Sequence, residues 1–311
     1  MARILTLTLN PALDLTVRLR HLELGDVNRS EAVLTQAAGK GVNVAQVLAD
    51  LGHSLTVSGF LGADNLAPFE ELFRRRGFVD EFVRVPGETR SNIKLAERSG
   101  RITDLNGPGP EVDAQAQELL LARLDEIAAG RELAVVAGSL PRGVEPDWLR
   151  ELLLRLKRLG LRVAFDCSGP ALVEGLQAQP WLIKPNGVEF AEIGGKPHLS
   201  GAGQRELGER LRAGGIEHVV VSHGAHGVNW FGPDATLWAT PPRVEVASTV
   251  GAGDSLLAAM VHGLLAGWDA ERVIRHATAV AALAVTQFDF GIQDPERLAI
   301  IEGAVRVNPG A

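Results

Sequence analysis

Ile4-Leu5-Thr6-Leu7-Thr8-Leu9 alternates apolar and polar side chains and stops at Asn10-Pro11. Such a run predicts a strand, and the proline cannot continue a central ladder. Leu13, Leu15, Val17 and Leu19 then alternate with Asp14, Thr16, Arg18 and Arg20, which predicts a second strand with one solvated face. An extended piece over 32–36 leads into Gly39-Lys40-Gly41, whose glycines open a helix that runs to Leu51 and closes on Gly52. Farther along, β-rich runs at 55–61, 133–137, 161–165, 181–183 and 218–221 are interleaved with helical patterns that include 67–76, 114–129, 146–159 and 201–213. Repeated alternation of this kind predicts an α/β fold in three α/β/α layers, with a parallel sheet, right-handed crossovers and helices on both faces.

Two stretches break the alternation. Residues 14–20 with 32–36, and 91–97 with 101–106 across the Ser99-Gly100 turn, read as four short strands with no helix between them. They predict a small β-sheet appendage, formed by roughly residues 12–37 and 88–107, on a single domain spanning residues 1–311. Gly107-Pro108-Gly109-Pro110 is the rigid turn that returns the chain to the main domain. Asn10, Asp64, Gly138-Ser139, Asp166, Lys184 and Ser222 all come at or just after the ends of expected strands. In an open α/β sheet those ends share one edge, where ligands bind.

Ser248-Thr249-Val250-Gly251-Ala252-Gly253-Asp254-Ser255 precedes the apolar run 256–266. Small residues at a helix start leave backbone N–H groups bare, and with the helix dipole they favour an anion. Asp254 would stand where it can take a proton from a hydroxyl attacking phosphorus. By itself the cluster reads more readily as a tight turn with Asp as an N-terminal cap. Gly39-Lys40-Gly41 does not complete a Walker loop, and Gly251-Ala252-Gly253 lacks the third glycine of a dinucleotide loop.

Composition narrows the classes. The chain of 311 residues is 46% hydrophobic and 22% charged, which suits a globular domain and no membrane span. A net charge of −7 argues against nucleic acid or an anionic membrane as partner. The single cysteine, Cys167, excludes an internal disulfide and a cysteine zinc cluster, and predicts a reducing, cytoplasmic setting.

Asn10-Pro11-Ala12-Leu13-Asp14, Gly39-Lys40-Gly41-Val42-Asn43-Val44-Ala45, Thr89-Arg90-Ser91-Asn92-Ile93-Lys94, Gly138-Ser139-Leu140-Pro141, Ile183-Lys184-Pro185-Asn186 with Glu189, and the Gly251–Asp254 stretch occur in this order. The set resembles the ribokinase-like (phosphofructokinase B type) carbohydrate kinases, and within them the branch of 1-phosphofructokinases and tagatose-6-phosphate kinases. That resemblance implies Asp254 as catalytic base and Gly251, Ala252 and Gly253 as the anion hole. It implies sugar-hydroxyl contacts from Asp14 and Asn43, and close approach of the sugar at Gly39. The phosphate already on the sugar would fall to Lys40, Arg90, Lys94, Ser139 and Arg29. ATP would meet Lys184, Asn186, Ser222, Gly224, Gly227 and Thr249, with Mg²⁺ held through water by Asn186 and Glu189. Adenine would lie between the 224–227 loop and the helix over 277–285, unless that space is closed by helix packing.

The implied reaction is ATP-dependent phosphorylation of a ketohexose monophosphate. Fructose 1-phosphate is preferred, with tagatose 6-phosphate and fructose 6-phosphate as alternatives. The resemblance also implies that the β-appendage is a lid and that a homodimer is joined through it. A non-catalytic sugar-phosphate sensor would lack reason to keep Asp254, the anion-hole glycines and Asn186 with Glu189. A nicotinamide oxidoreductase would share the α/β alternation, but the dinucleotide fingerprint it needs is missing here. His223 and His226 could bind a metal only with a third ligand. The chain departs from the family pattern at His223 and at Phe288-Asp289-Phe290-Gly291, where a small-residue loop is usual. The helix start is expected to lower the pKa of Asp254.

Overall fold

Strand β1 (Arg3–Thr8) lies inside the larger of two sheets because both its faces are covered. The computed structural model describes residues 1–310. Chain order gives β2 (Ala12–Leu19), β3 (Ala32–Ala38), α1 (Lys40–Asp50), β4 (Ser54–Gly62), α2 (Ala67–Arg76), β5 (Val79–Asp80), β6 (Val83–Val85), β7 (Arg90–Glu97) and β8 (Ile102–Asn106). Then follow α3 (Ala114–Ala128), β9 (Leu133–Ala137), α4 (Pro146–Arg158), β10 (Arg162–Asp166), α5 (Gly169–Leu176), β11 (Leu182–Ile183), α6 (Gly187–Ile193), α7 (Gly201–Ala213) and β12 (His218–Ser222). The chain closes with β13 (Val228–Phe231), β14 (Thr236–Thr240), α8 (Ala252–Leu265), α9 (Ala270–Ala284), α10 (Pro295–Ala304) and β15 (Arg306–Pro309).

The main sheet runs β15-β14-β13-β12-β11-β10-β9-β1-β4-β5, with β6 also paired to β4. From β12 to β5 the neighbours are parallel, as the alternation predicts; β12 through β15 are antiparallel. Strand β9 explains why such strands read as continuous apolar runs. Leu133, Val135 and Ala137 pack with α1, α2, α8 and α9 on one face, and Ala134 and Val136 with α3, α4 and α5 on the other. The antiparallel edge is absent from the sequence reading, because the register of β14 with β15 joins segments far apart in the chain. Among the described residues no helix is long and apolar enough to cross a membrane.

The four helix-free strands, the expected lid, form a separate sheet ordered β3-β2-β7-β8. Strands β2 and β7 are parallel, and each has an antiparallel outer neighbour. Its polar face differs from expectation: Asp14 is only 7% exposed, because that face turns toward the body instead of toward solvent. The odd-numbered face carries Leu15, Val17, Val33, Ile93, Leu95 and Leu105 in register, with Val33 and Leu105 more than half exposed.

Candidate active site

Strand ends place the first residues of the site. Asn10, just past β1, donates from Nδ2 to Ser139 Oγ and to the Leu140 carbonyl, both at 3.2 Å. Asp166 ends β10 and is 2% exposed; its Oδ1 accepts from Lys40 Nζ at 3.2 Å. Lys184, after β11, brings its ammonium within 3.2 Å of Asp166 Oδ2 but off the line of a hydrogen bond. One buried carboxylate therefore stands between two lysines. The sequence places Asp166 on the ligand-binding edge without giving it this role, because its partners come from distant segments.

Helix α8 supplies the second half. Ser255 N donates to Gly251 O at 2.8 Å as the first bond of the helix, so the N–H groups of Ala252, Gly253 and Asp254 have no helical acceptor. Gly251 has φ 79°, a left-handed conformation, and a Cβ there would stand 2.8 Å from the Phe290 ring. A Cβ on Gly253 would stand 3.2 Å from Lys184 Nζ, so the loop and that ammonium are neighbours.

Asp254, 6% exposed, accepts at Oδ2 from Asn43 Nδ2 of α1 at 2.8 Å. Its pKa is pushed up to about 6, chiefly by burial and further by Asp166, against the pull of Lys40, Asn43 and Lys184. The expectation of a lowered value fails because desolvation, helped by Asp166, outweighs the nearby ammonium groups and the Asn43 hydrogen bond. The pKa of Lys40 is also raised, which for an ammonium favours the charged form. Burial opposes its charge, but Asp166, Asp254 and Glu189 hold the ammonium protonated well above its ordinary range. Gly39, φ 129°, would carry a Cβ 2.8 Å from Thr8 Cγ2, which is why the chain can enter α1 so close to β1.

The lid contributes Asp14, which accepts from Lys94 Nζ at 2.5 Å and from Asn92 Nδ2 at 3.1 Å. Asn92, unassigned in the sequence reading, thus belongs with the pair. Arg90 sits at the root of the lid, donating to the carbonyls of Asn10, Pro11 and Gly107. Burial lowers its pKa, against the pull of Asp14. Those contacts occupy much of the fork expected to hold a phosphate. Arg29 is not brought into this cluster; it lies on the exposed loop between β2 and β3 with no hydrogen bond among the described residues. Asp64 also stands apart, exposed on a single 3₁₀ turn where its N–H donates to Gly87 O.

Asn186 and Glu189 form a capping box on α6. Asn186 Oδ1 accepts from the N–H groups of Val188 and Glu189, and Glu189 Oε2 accepts from Asn186 N at 2.8 Å. Direct ligation of a metal by that amide oxygen does not fit, since both its acceptor positions are used. Glu189 keeps its second oxygen, and its charge is felt at Lys40. Asn186 also bridges to Ser222 at the end of β12.

Beside this junction a cavity of about 450 Å³ is lined by Ser222, Gly224, Gly227, Thr249, Ala252 and Gly253, with Thr278, Ala281 and Val285 of α9 and its end. The space expected for a flat ring is open. His223 stacks on Trp238 at 5.2 Å, and no cluster of three metal-ligating side chains occurs among the described residues.

Comparison with known proteins gives a consistent set. The family model for pfkB family carbohydrate kinases matches residues 7–297. A 1-phosphofructokinase of Vibrio cholerae serotype O1 is 42% identical over 306 residues, covering 98% of this chain and 96% of its own. One from Escherichia coli K12 is 42% identical over 307 residues, covering 99% and 98%. The tetrameric inhibited form of phosphofructokinase-2 from Escherichia coli superposes with a TM-score of 0.89 at 28% identity, covering 98% of this chain and 99% of that one.

Proposed function

The chain belongs to the pfkB family of carbohydrate kinases, an ATP-dependent sugar kinase family, and we propose that it phosphorylates fructose 1-phosphate at the 6-hydroxyl to give fructose 1,6-bisphosphate. The observation that carries this reading is Asp254, buried at the start of α8, tied to Asn43 and flanked by Lys40 and Lys184. The relatives named 1-phosphofructokinase, matched along almost their full length, support the choice of sugar.

In the proposed reaction the sugar lies under the lid with its hydroxyls on Asp14 and Asn43. Lys94, Arg90, Lys40 and Ser139 serve the phosphate that stays. Lys94 would exchange Asp14 for that phosphate, and Arg90 would offer the N–H groups not spent on the lid root. The 6-oxygen attacks the γ-phosphorus, its proton passes to the Asp254 carboxylate, the bond to the bridging oxygen breaks, and ADP leaves. The N–H groups of Ala252 and Gly253 and the Lys184 ammonium face the charge spread over the transferring group.

The cavity beside α9 suits the adenosine. Mg²⁺, held through water by the free oxygen of Glu189, would neutralise charge on the ATP phosphates. The apolar odd-numbered face of the lid is read as the seam of a homodimer, and the buried thiol of Cys167 as suited to a cytoplasmic setting. The deciding measurement is kcat/KM with ATP across fructose 1-phosphate, fructose 6-phosphate and tagatose 6-phosphate. The first should exceed the others by at least about tenfold. A higher value for either other sugar reassigns the substrate, and no turnover with any of them rejects the kinase reading of the site.

A further inference from the structure

Residues 287–292 join the end of α9 to α10 and touch three parts of the molecule. Their base is clamped to the body. Ile292 N donates to Asp50 Oδ2 at 2.8 Å, and Arg76, itself paired with Asp50, donates to the Phe290 carbonyl. Gln287 Nε2 ties the loop to itself through the carbonyls of Asp289 and Gly291. From that base the Phe290 ring lies against Gly251 at the anion hole.

The tip reaches the lid. Asp289 Oδ1 accepts from Gln36 Nε2 at 2.6 Å, and the Arg18 guanidinium lies 4.7 Å from the centre of the Phe288 ring. Gln36 is the cross-strand partner of Asp14, and Arg18 is on the same lid face. The departure from the family's small-residue loop thus places two aromatic rings and a carboxylate between the sugar-facing side of the lid and the phosphoryl-receiving turn.

We infer that Phe288-Asp289-Phe290 is a latch that couples lid position to the anion hole, with Gln36, Arg18 and Phe288 as positioning residues for phosphoryl transfer. The latch rests on the kinase reading of the site. Exposed single contacts such as these are individually weak, so the tip can release and re-engage while the clamped base holds Phe290 in place. When the lid is seated, Asp14 is held over the cleft and water is kept from the γ-phosphate.

The test uses the full chain with Arg18→Ala and Gln36→Ala combined. In the unliganded protein, hydrogen–deuterium exchange should rise across 32–38 and 287–292 while β9 keeps wild-type protection. KM for fructose 1-phosphate should rise about tenfold with kcat falling less, and ADP release should exceed formation of the bisphosphate. Phe288→Ala should reproduce the exchange change, and Phe288→Trp, which keeps a ring for Arg18, should restore it.

Wild-type exchange in both segments overturns the latch. So does raised exchange with an unchanged KM and one ADP released per bisphosphate. Exchange reads the latch without substrate, whereas absence of turnover with all three phosphosugars in the unmutated protein counts against the kinase reading alone.

Discussion

Asp254 combines two properties that one environment supplies. Burial raises its pKa to about 6, which strengthens it as a base, and Asn43 holds its orientation. The acid limb of kcat/KM should therefore fall with an apparent pKa near 6, as protonation removes the acceptor, measured by initial rates across pH 5–8. A raised carboxylate pKa means that this group's favourable contribution to folding is fully present below its ordinary value of 3.8 and lost as pH rises through about 6. At neutral pH the charge is a burden of roughly 3 kcal/mol. Asp254→Asn should thus lose about three orders of magnitude or more in turnover while its melting temperature stays level or rises. Asp166 is a buried carboxylate shared by two lysines. Asp166→Ala leaves both ammonium groups without it and should cost about 3 kcal/mol or more in urea unfolding.

Helix α6 shows an element whose sequence motif has two readings. Its Asn-x-x-Glu pattern is a complete capping box, so a substitution in it acts on the helix start as well as on the proposed metal role. Asn186→Ala should lower stability by about 1 kcal/mol in thermal unfolding. Glu189→Gln preserves an acceptor for Asn186 N but removes charge, so it should raise the Mg²⁺ concentration for half-maximal rate with little loss of stability. An equal Mg²⁺ requirement would leave Glu189 only its capping role. Helix α8 opens with Gly251 in a left-handed conformation, and the Phe290 ring from another loop fills the space a Cβ would need there.

Over the whole molecule, the lid presents an apolar face that the body does not cover, with Val33 at 56% and Leu105 at 52% exposure. Val33→Asp with Leu105→Asp should shift the proposed homodimer to monomer in light scattering after gel filtration. At the far side of the fold, His218 and His262 are each lowered to about 4, chiefly by burial. Arg212 and Arg162 add to the effect at His218, and His53, His276, the N-terminus and Arg272 add to it at His262. A lowered histidine pKa gives stability that is present above the ordinary value of 6.5 and lost as pH falls through about 4. His218, 3% exposed with an unpartnered Nδ1, should cost about 2 kcal/mol between pH 7 and pH 5. His218→Phe should flatten that part of the urea midpoint's pH dependence.

Local patterns carried much of the architecture. The apolar run 133–137 marked a strand covered on both faces, the helix-free strands marked a separate four-stranded sheet, and polar residues after strand ends marked the proposed binding edge. The ordered motifs carried the family. These signals are legible because strand period, helix period and turn chemistry act between residues close in the chain. Contacts between distant segments decided the rest. Asn43 meets Asp254 across 211 positions, and Gln36 meets Asp289 across 253. Whether Lys94 is free or paired with Asp14, whether Asp254 is a weak or a strengthened base, and what stands between Lys40 and Lys184 depend on desolvation and proximity. Those quantities exist only after the sheet edge, the lid and α8 have come together.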